Sequence, residues 1–146
     1  MLIEEIAERL RIWREAEKAG PLRMELHPTD RCNLTCIFCW RAATVNKNFP
    51  EMSENRLLKI PEEAADLGVK EWVVSGGGEP LLRKNVTLKV LKRIKQHDMW
   101  GLLTTNGTLL NERDAKFLTK IGWDQVQISI DGPTSEINDY LRGKGM

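Results

Sequence analysis

The chain has 146 residues, about the length of one domain, and 41% of them are hydrophobic, which is sufficient for a packed core. Its 22 basic and 21 acidic side chains give a formal net charge of +1, so the composition argues against nucleic-acid binding through phosphate contacts. No apolar run approaches the roughly 18 residues that a membrane-spanning helix needs.

The first regular pattern is that of an amphipathic helix over residues 2–18. Its apolar side chains recur at helical spacing, and Gly20 and Pro21 end it. An alternating segment follows and predicts the first strand, with one apolar face (Leu22, Met24 and Leu26) and one polar face (Arg23, Glu25 and His27). We therefore separate an N-terminal helix, residues 1–20, from a core domain, residues 21–146.

The rest of the chain alternates helices with strands. Helices are predicted from Ser53 to Gly68, over 84–97 and over 111–121, and strands over 70–75, 100–104 and 125–130. Pro61 lies inside the first of these helices, where we expect a kink or a fresh start. The regular alternation predicts an α/β fold with a parallel sheet and right-handed crossovers.

Polar faces on the first and last strands favour a curved sheet around a lumen over a flat sheet covered on both sides. Four parallel strands cannot close a barrel, and the last would remain an open edge. We therefore expect this sequence to be the front part of a longer protein, truncated after the fourth strand.

The three cysteines of the chain, Cys32, Cys36 and Cys39, lie within eight residues. Because all three lie in this one cluster, the sequence has no set of cysteines that would form structural disulfide bonds. The acidic N-terminus is also unlike a secretory signal, so we expect a cytoplasmic protein. A closed zinc site needs four ligands, whereas a cubane iron–sulfur cluster held by three cysteines keeps one iron open. His27 is near enough in sequence to complete a Cys₃His zinc site, and a zinc-binding structural or interaction module without catalysis is the alternative. A conventional electron carrier would need a fourth cysteine.

The other unusual motifs follow the predicted strands directly. They are Gly76-Gly77-Gly78-Glu79-Pro80 after the second strand, Thr105-Asn106-Gly107 after the third and Ser129-Ile130-Asp131-Gly132 after the fourth. In barrel-type α/β proteins, the carboxyl ends of the strands carry the active site. Ser129 lies on the polar face of its strand and is predicted to point into the lumen.

In their order and placement these motifs resemble those of the radical S-adenosylmethionine (radical SAM) superfamily. The cysteine triplet with Phe38 before its last member resembles the superfamily signature, and the glycine run ending in Glu79 and Pro80 resembles its second motif. The resemblance runs from about Leu22 to the last residue and is nearest to the branch of molybdenum-cofactor cyclases and peptide maturases of the SPASM type. It implies the four-strand N-terminal portion of a partial parallel (β/α)₆ barrel, preceded by one helix.

The resemblance also implies a site. Cys32, Cys36 and Cys39 would hold a [4Fe–4S] cluster whose open iron binds S-adenosylmethionine. Contacts to that cofactor would come from the strand-end loops and from the residue before the last cysteine: Phe38, Gly77, Gly78, Glu79, Thr105, Asn106 and Ser129. Simpler alternatives stay open, because Glu79 can instead anchor its loop, Thr105 and Asn106 can form a turn, and Ser129 can fill a tapered interior.

The activity that the resemblance implies is reductive cleavage of S-adenosylmethionine and abstraction of hydrogen from an unidentified substrate, in cofactor or peptide maturation. The implied partners are a reduced ferredoxin or flavodoxin as electron donor, and a small-molecule or peptide substrate. We expect neither nucleic acid nor a membrane among the partners.

Overall fold

The computed structural model of the protein describes residues 3–15, 18–41 and 50–143. The elements in these ranges are α1 (Ile3–Arg14), β1 (Arg23–Leu26), α2 (Glu54–Asp66), β2 (Glu71–Val74), α3 (Lys84–Gln96), β3 (Trp100–Thr105), α4 (Glu112–Lys120), β4 (Gln125–Ile128) and α5 (Ser135–Arg142). A short 3₁₀ helix, Pro80–Arg83, precedes α3. No helix in the described ranges is both long and apolar enough to span a bilayer.

The four strands form one parallel sheet in the order β1-β2-β3-β4. Arg23 of β1 pairs with Glu71 of β2, which in turn pairs with Trp100 of β3, and Leu102 of β3 pairs with Gln125 of β4. The predicted α/β class with a parallel sheet is confirmed. Because all four strands run in the same direction, their carboxyl ends meet along one edge of the sheet.

The core lies between one face of the sheet and the helices α2 and α3. Trp72 and Val74 of β2 and Leu103 of β3 are fully buried there, because their side chains alternate onto the helix-covered face. The helices contribute apolar stripes at helical spacing: Leu57, Ile60 and Ala64 from α2, and Val86, Val90, Leu91 and Ile94 from α3. The indole nitrogen of Trp72 donates to the sulfur of Met99 at 3.1 Å, so this buried polar atom has a partner.

Capping side chains set where the helices start. Ser53 accepts a hydrogen bond from a first-turn amide of α2, and Asn111 and Asp114 form a reciprocal capping box at the start of α4. Helix α2 continues through Pro61, so the alternative of a fresh start at this proline is wrong. The proline ring is buried, so it adds apolar contact area to the helix although its missing amide forfeits one backbone hydrogen bond.

Several predicted boundaries differ from the structure, most of them by one residue. Strand β4 ends at Ile128 rather than at residue 130, because its partner β3 ends at Thr105, directly opposite Ile128. The chain then forms α5, a complete helix that the apolar pattern did not delimit. The helix predicted over residues 2–18 is observed as α1, but it ends earlier, at Arg14; Lys18 is not helical, and residues 2, 16 and 17 lie outside the described residues.

Candidate functional site

The cysteine loop, residues 27–41, leaves β1 at the carboxyl edge of the sheet. Cys32, Cys36 and Cys39 are half-buried within it, and none of them is in a disulfide bond. The glycine loop, residues 76–78, leaves β2 at the same edge and docks directly on the cysteine loop. The amide of Gly78 donates to the carbonyl of Thr29 at 3.1 Å, and the next amide, that of Glu79, donates to the carbonyl of Arg31 at 2.8 Å.

The glycine loop needs glycine because the cysteine loop lies against its backbone. A Cβ atom on Gly78 would lie 1.8 Å from the carbonyl oxygen of Arg31. A Cβ atom on Gly77 would lie 2.3 Å from Oδ1 of Asp30, which forms a 2.8 Å ion pair with Arg41. Gly78→Ala would therefore push the two loops apart, whereas Gly77→Ala would displace the side chains of Asp30 and Arg41.

Glu79 connects the end of β2 to the end of β3. Its side chain is 2% exposed. Oε1 accepts hydrogen bonds from the Thr105 hydroxyl at 2.7 Å and the Leu81 amide at 2.9 Å, while Oε2 accepts one from the Asn106 amide at 2.8 Å. These contacts give Glu79 the anchoring role that the sequence left open, with Thr105 as one of its donors. Their direct contact with a cofactor stays a prediction.

Asn106 holds the cysteine loop from the β3 side. Its amide nitrogen Nδ2 donates to Oδ1 of Asn33 at 2.9 Å, and Asn33 donates in turn to the hydroxyl of Thr108 at 2.8 Å. Oδ1 of Asn106 accepts from the Thr108 amide at 3.0 Å, so the turn after β3 is closed on itself. The predicted meeting of the cysteine, glycine and Thr-Asn-Gly motifs at one edge is therefore present in the structure.

Ser129 and Phe38 lie at the border of this assembly. Ser129 follows β4, is half-buried, and donates its amide to the carbonyl of Thr105 at 3.0 Å. The ring of Phe38 is exposed on one side and lies beneath the guanidinium of Arg142 on the other. The structure places both residues beside the loops that carry the other predicted contacts, and their roles toward a cofactor stay predictions.

Burial raises the pKa of the Cys32 thiol above its usual value. The Leu34 amide, which donates to the sulfur at 3.4 Å, opposes this shift, while Glu79 and the other two thiols raise the pKa further. The Cys36 thiol donates to the carbonyl oxygen of Arg142 at 3.6 Å. Three thiols would leave one corner of a bound iron–sulfur cluster open, and ligation by these three residues stays a prediction.

The described side chains of the cysteine loop are not arranged around one common metal position. Within the described ranges, no three histidine, cysteine or acidic side chains are arranged to hold a metal ion. His27, the fourth ligand of the zinc alternative, has its Nε2 3.0 Å from Oε1 of Glu25 instead. Ligation by Cys36 would require its sulfur to leave the carbonyl of Arg142.

A polar cluster on the face of β1 opposite the core includes one residue that the sequence did not single out. The Ser75 hydroxyl donates to Oε1 of Glu25 at 2.6 Å, on the same oxygen that His27 approaches. These two hydrogen bonds, that from Ser75 first, lower the pKa of Glu25. Only the register of β1 on β2, in which Glu25 pairs with Val73, brings Ser75 to this carboxylate.

Barrel-type α/β enzymes place their active sites in loops at the carboxyl ends of parallel strands, as the polar loops are placed here. Comparison with protein families is more specific: the model of the radical SAM superfamily matches residues 26–146. The chain therefore belongs to the radical SAM superfamily, whose enzymes use a [4Fe–4S] cluster and S-adenosylmethionine.

Relatives place the chain within the predicted branch. It is 38% identical to a probable GTP 3′,8-cyclase of Methanococcus vannielii over 104 residues, which cover 70% of this chain and 34% of the relative. It is 33% identical to a PqqA peptide cyclase of Granulibacter bethesdensis over 123 residues, which cover 84% of this chain and 32% of the relative. The chain thus spans about a third of the length of these relatives.

The fold matches that of Streptococcus suis SuiB bound to S-adenosylmethionine with a TM-score of 0.75. The match covers 95% of this chain and 32% of SuiB at 23% sequence identity, so it bears on the fold alone. It confirms the predicted fold, a four-strand portion of a partial barrel.

Proposed function

We propose that this chain carries the cluster-binding and cofactor-binding part of a radical SAM enzyme, with Cys32, Cys36 and Cys39 as the iron ligands. The observation that carries the proposal is the docking of the cysteine loop on the glycine loop through the amides of Gly78 and Glu79. When bound, the cluster would supply the electron that cleaves S-adenosylmethionine to methionine and a 5′-deoxyadenosyl radical.

The residues around the thiols have distinct roles in this proposal. Gly77 and Gly78 contact the cofactor through their backbone, while their lack of a side chain lets the cysteine loop pack against them. Glu79 holds the loops of β2 and β3 at a fixed separation through its three hydrogen bonds. Asn106 secures the cysteine loop, and Ser129 and Phe38 contact the cofactor from the border of the site.

We further propose that the substrate belongs to cofactor or peptide maturation and that a reduced ferredoxin or flavodoxin supplies the electron. Similarity to a GTP 3′,8-cyclase and to a PqqA peptide cyclase supports this substrate class. The face of β1 opposite the core, with Glu25 and His27 exposed beside the glycine loop, offers polar groups for such a substrate.

Anaerobic reconstitution of the full chain with iron and sulfide tests the proposal. We expect a brown protein with broad absorbance near ~400 nm, and 5′-deoxyadenosine on addition of S-adenosylmethionine and dithionite. Cys36→Ala should abolish the product because the cluster loses a ligand. Ser129→Ala should keep the colour and weaken S-adenosylmethionine binding about tenfold, as expected for one lost hydrogen bond.

The matched control is Arg93→Gln, which removes an exposed ion pair with Glu62 between α2 and α3, away from the strand ends. It should leave colour and product unchanged. A colourless protein that retains one tightly bound zinc ion, or product formation that survives Cys36→Ala, would contradict the proposal.

A further inference from the structure

The last turn of α5 contacts the cysteine loop at three points. The carbonyl of Leu141 accepts a hydrogen bond from the amide of Ile37 at 2.9 Å. The carbonyl of Arg142 accepts from the thiol of Cys36, a residue 106 positions earlier in the chain. The guanidinium carbon of Arg142 lies 5.4 Å from the centre of the Phe38 ring. The end of the described chain therefore supports the loop near its beginning.

Arg142 is fixed in place by its own neighbours. Its side chain is 13% exposed and forms an ion pair with Asp131. The amide of Asp131 donates to Oδ1 of the buried Asn138 at 3.0 Å, which ties the ion pair to the first turns of α5. A guanidinium that is both paired and stacked has few alternative conformations, so its contact with the aromatic ring persists.

The buried Nε atom of this guanidinium can also stabilise nearby negative charge. Nε of Arg142 is buried and has no hydrogen-bond acceptor among the residues that the structure describes. A desolvated donor on a cation stabilises negative charge that comes near it more strongly than a solvated one. Three cysteine thiolates with their cluster would bring such charge to the adjoining loop.

We propose that Arg142 is a positioning residue of the cluster site: it holds Phe38 and the Cys36–Cys39 turn against α5 and sets a positive charge beside the ligand loop. This inference rests on the proposed function for the identity of the ligands. The contacts that carry it are made by protein atoms alone and can be measured without a cluster. Lysine would preserve the charge and the ion pair with Asp131, but it lacks the planar group that stacks on the ring.

The first experiment measures amide hydrogen exchange at Ile37 in the metal-free full chain. Arg142→Gln should lower the protection of this amide about tenfold, as the loss of a partly desolvated cation–π contact predicts. Phe38→Leu should lower it similarly, and the double variant should lower it no further, because both single changes remove the same contact. The amide of Val73, in the centre of the sheet, should keep its protection and shows that each variant is folded.

The second experiment measures the midpoint potential of the reconstituted cluster by a redox titration. Arg142→Gln should shift the potential to more negative values, because it removes a positive charge that favours the reduced cluster. Arg142→Lys should stay near the wild-type potential while losing part of the Ile37 protection. A purely structural role would move both variants together.

Two results would overturn the proposal. One is Ile37 protection in Arg142→Gln equal to that of the wild type, or additive losses in the double variant. The other is an equal shift, or none, for the lysine and glutamine variants in the titration. A wild-type chain that takes up no cluster would instead refute the proposed function, while the exchange experiment would still decide whether Arg142 positions the loop.

Discussion

Strands β2 and β4 belong to the same parallel sheet, yet they are buried to very different extents. Trp72 and Val74 of β2 have no exposed surface, whereas Val126 and Ile128 of β4 are 36% and 47% exposed. In sequence, both pairs are apolar residues two positions apart. The comparison teaches that alternation identifies a face of a strand, whereas burial depends on which helices cover that face.

The covering helices account for the difference. The apolar stripes of α2 and α3 form one cluster with Trp72 and Val74. Beside β4, a cleft of about 440 Å³ separates the helix from the strand, and Leu118 of α4 lines it together with Val126 and Ile128. Among the described residues, β4 therefore has the less complete apolar cover.

The largest expected effect tests this contrast directly. Trp72→Ala should lower the free energy of unfolding by about 3–5 kcal/mol, because it leaves a cavity at a fully buried site. Ile128→Ala on β4 should cost less than about 1 kcal/mol, since that side chain is already half exposed. Urea unfolding of both variants measures the two values. Equal losses would contradict the contrast between the two strands.

The second prediction concerns the loops that follow the covered strands. Glu79→Ala should lower the free energy of unfolding by about 3 kcal/mol, because three donors lose their acceptor inside the protein. The control is Glu112→Ala on α4, whose ion pair with Lys116 is exposed and should contribute less than about 1 kcal/mol. If the two alanine variants unfolded at the same urea concentration, Glu79 would not anchor the loops.

The smallest expected effect depends on pH. Glu51 accepts hydrogen bonds from Thr29 and Arg31, and these contacts, with that of Thr29 the strongest, hold its pKa below the usual value of 4.5. A depressed pKa in the folded state stabilises the protein above pH 4.5, and this contribution is lost as the pH falls through the folded value. Glu51→Gln should therefore cost about 1 kcal/mol at pH 7.

Urea unfolding at pH 7, 5, 4 and 3 measures this difference between wild type and variant. The difference should shrink steadily below about pH 4.5 and approach zero at the acid end. A constant difference across this range would show that the hydrogen bonds of Glu51 do not depend on its charge.

Much of the fold could be predicted from the sequence because local patterns decide it. Ser53 and Asn111 cap helices where the patterns place their starts, and the alternating residues of β1 separate into a core face and an open face. The end of β4 could not be predicted, because it depends on where β3 stops. The continuity of α2 through Pro61 depends on burial of the ring, which the local pattern does not report.

The residues of the candidate site also fall into two groups, those that could be predicted from the sequence and those that could not. The thiols, the glycine loop and the Thr-Asn-Gly turn were found because their residue types are unusual and follow strands. Ser75 contacts Glu25, and Arg142 contacts Phe38, across long separations in sequence. Neither Ser75 nor Arg142 belongs to a motif that stands out in the sequence. Such residues become visible only once the strand register and the path of α5 are known.

The register of the sheet has a consequence for chain entropy. Residue 23 pairs with residue 71, whereas residue 102 pairs with residue 125, so the first pairing closes a segment about twice as long as the last. Each doubling of a closed segment adds about 0.6 kcal/mol of entropic cost. The costliest closure in the described sheet is thus the pairing of β1 with β2, which encloses the thiol-bearing segment.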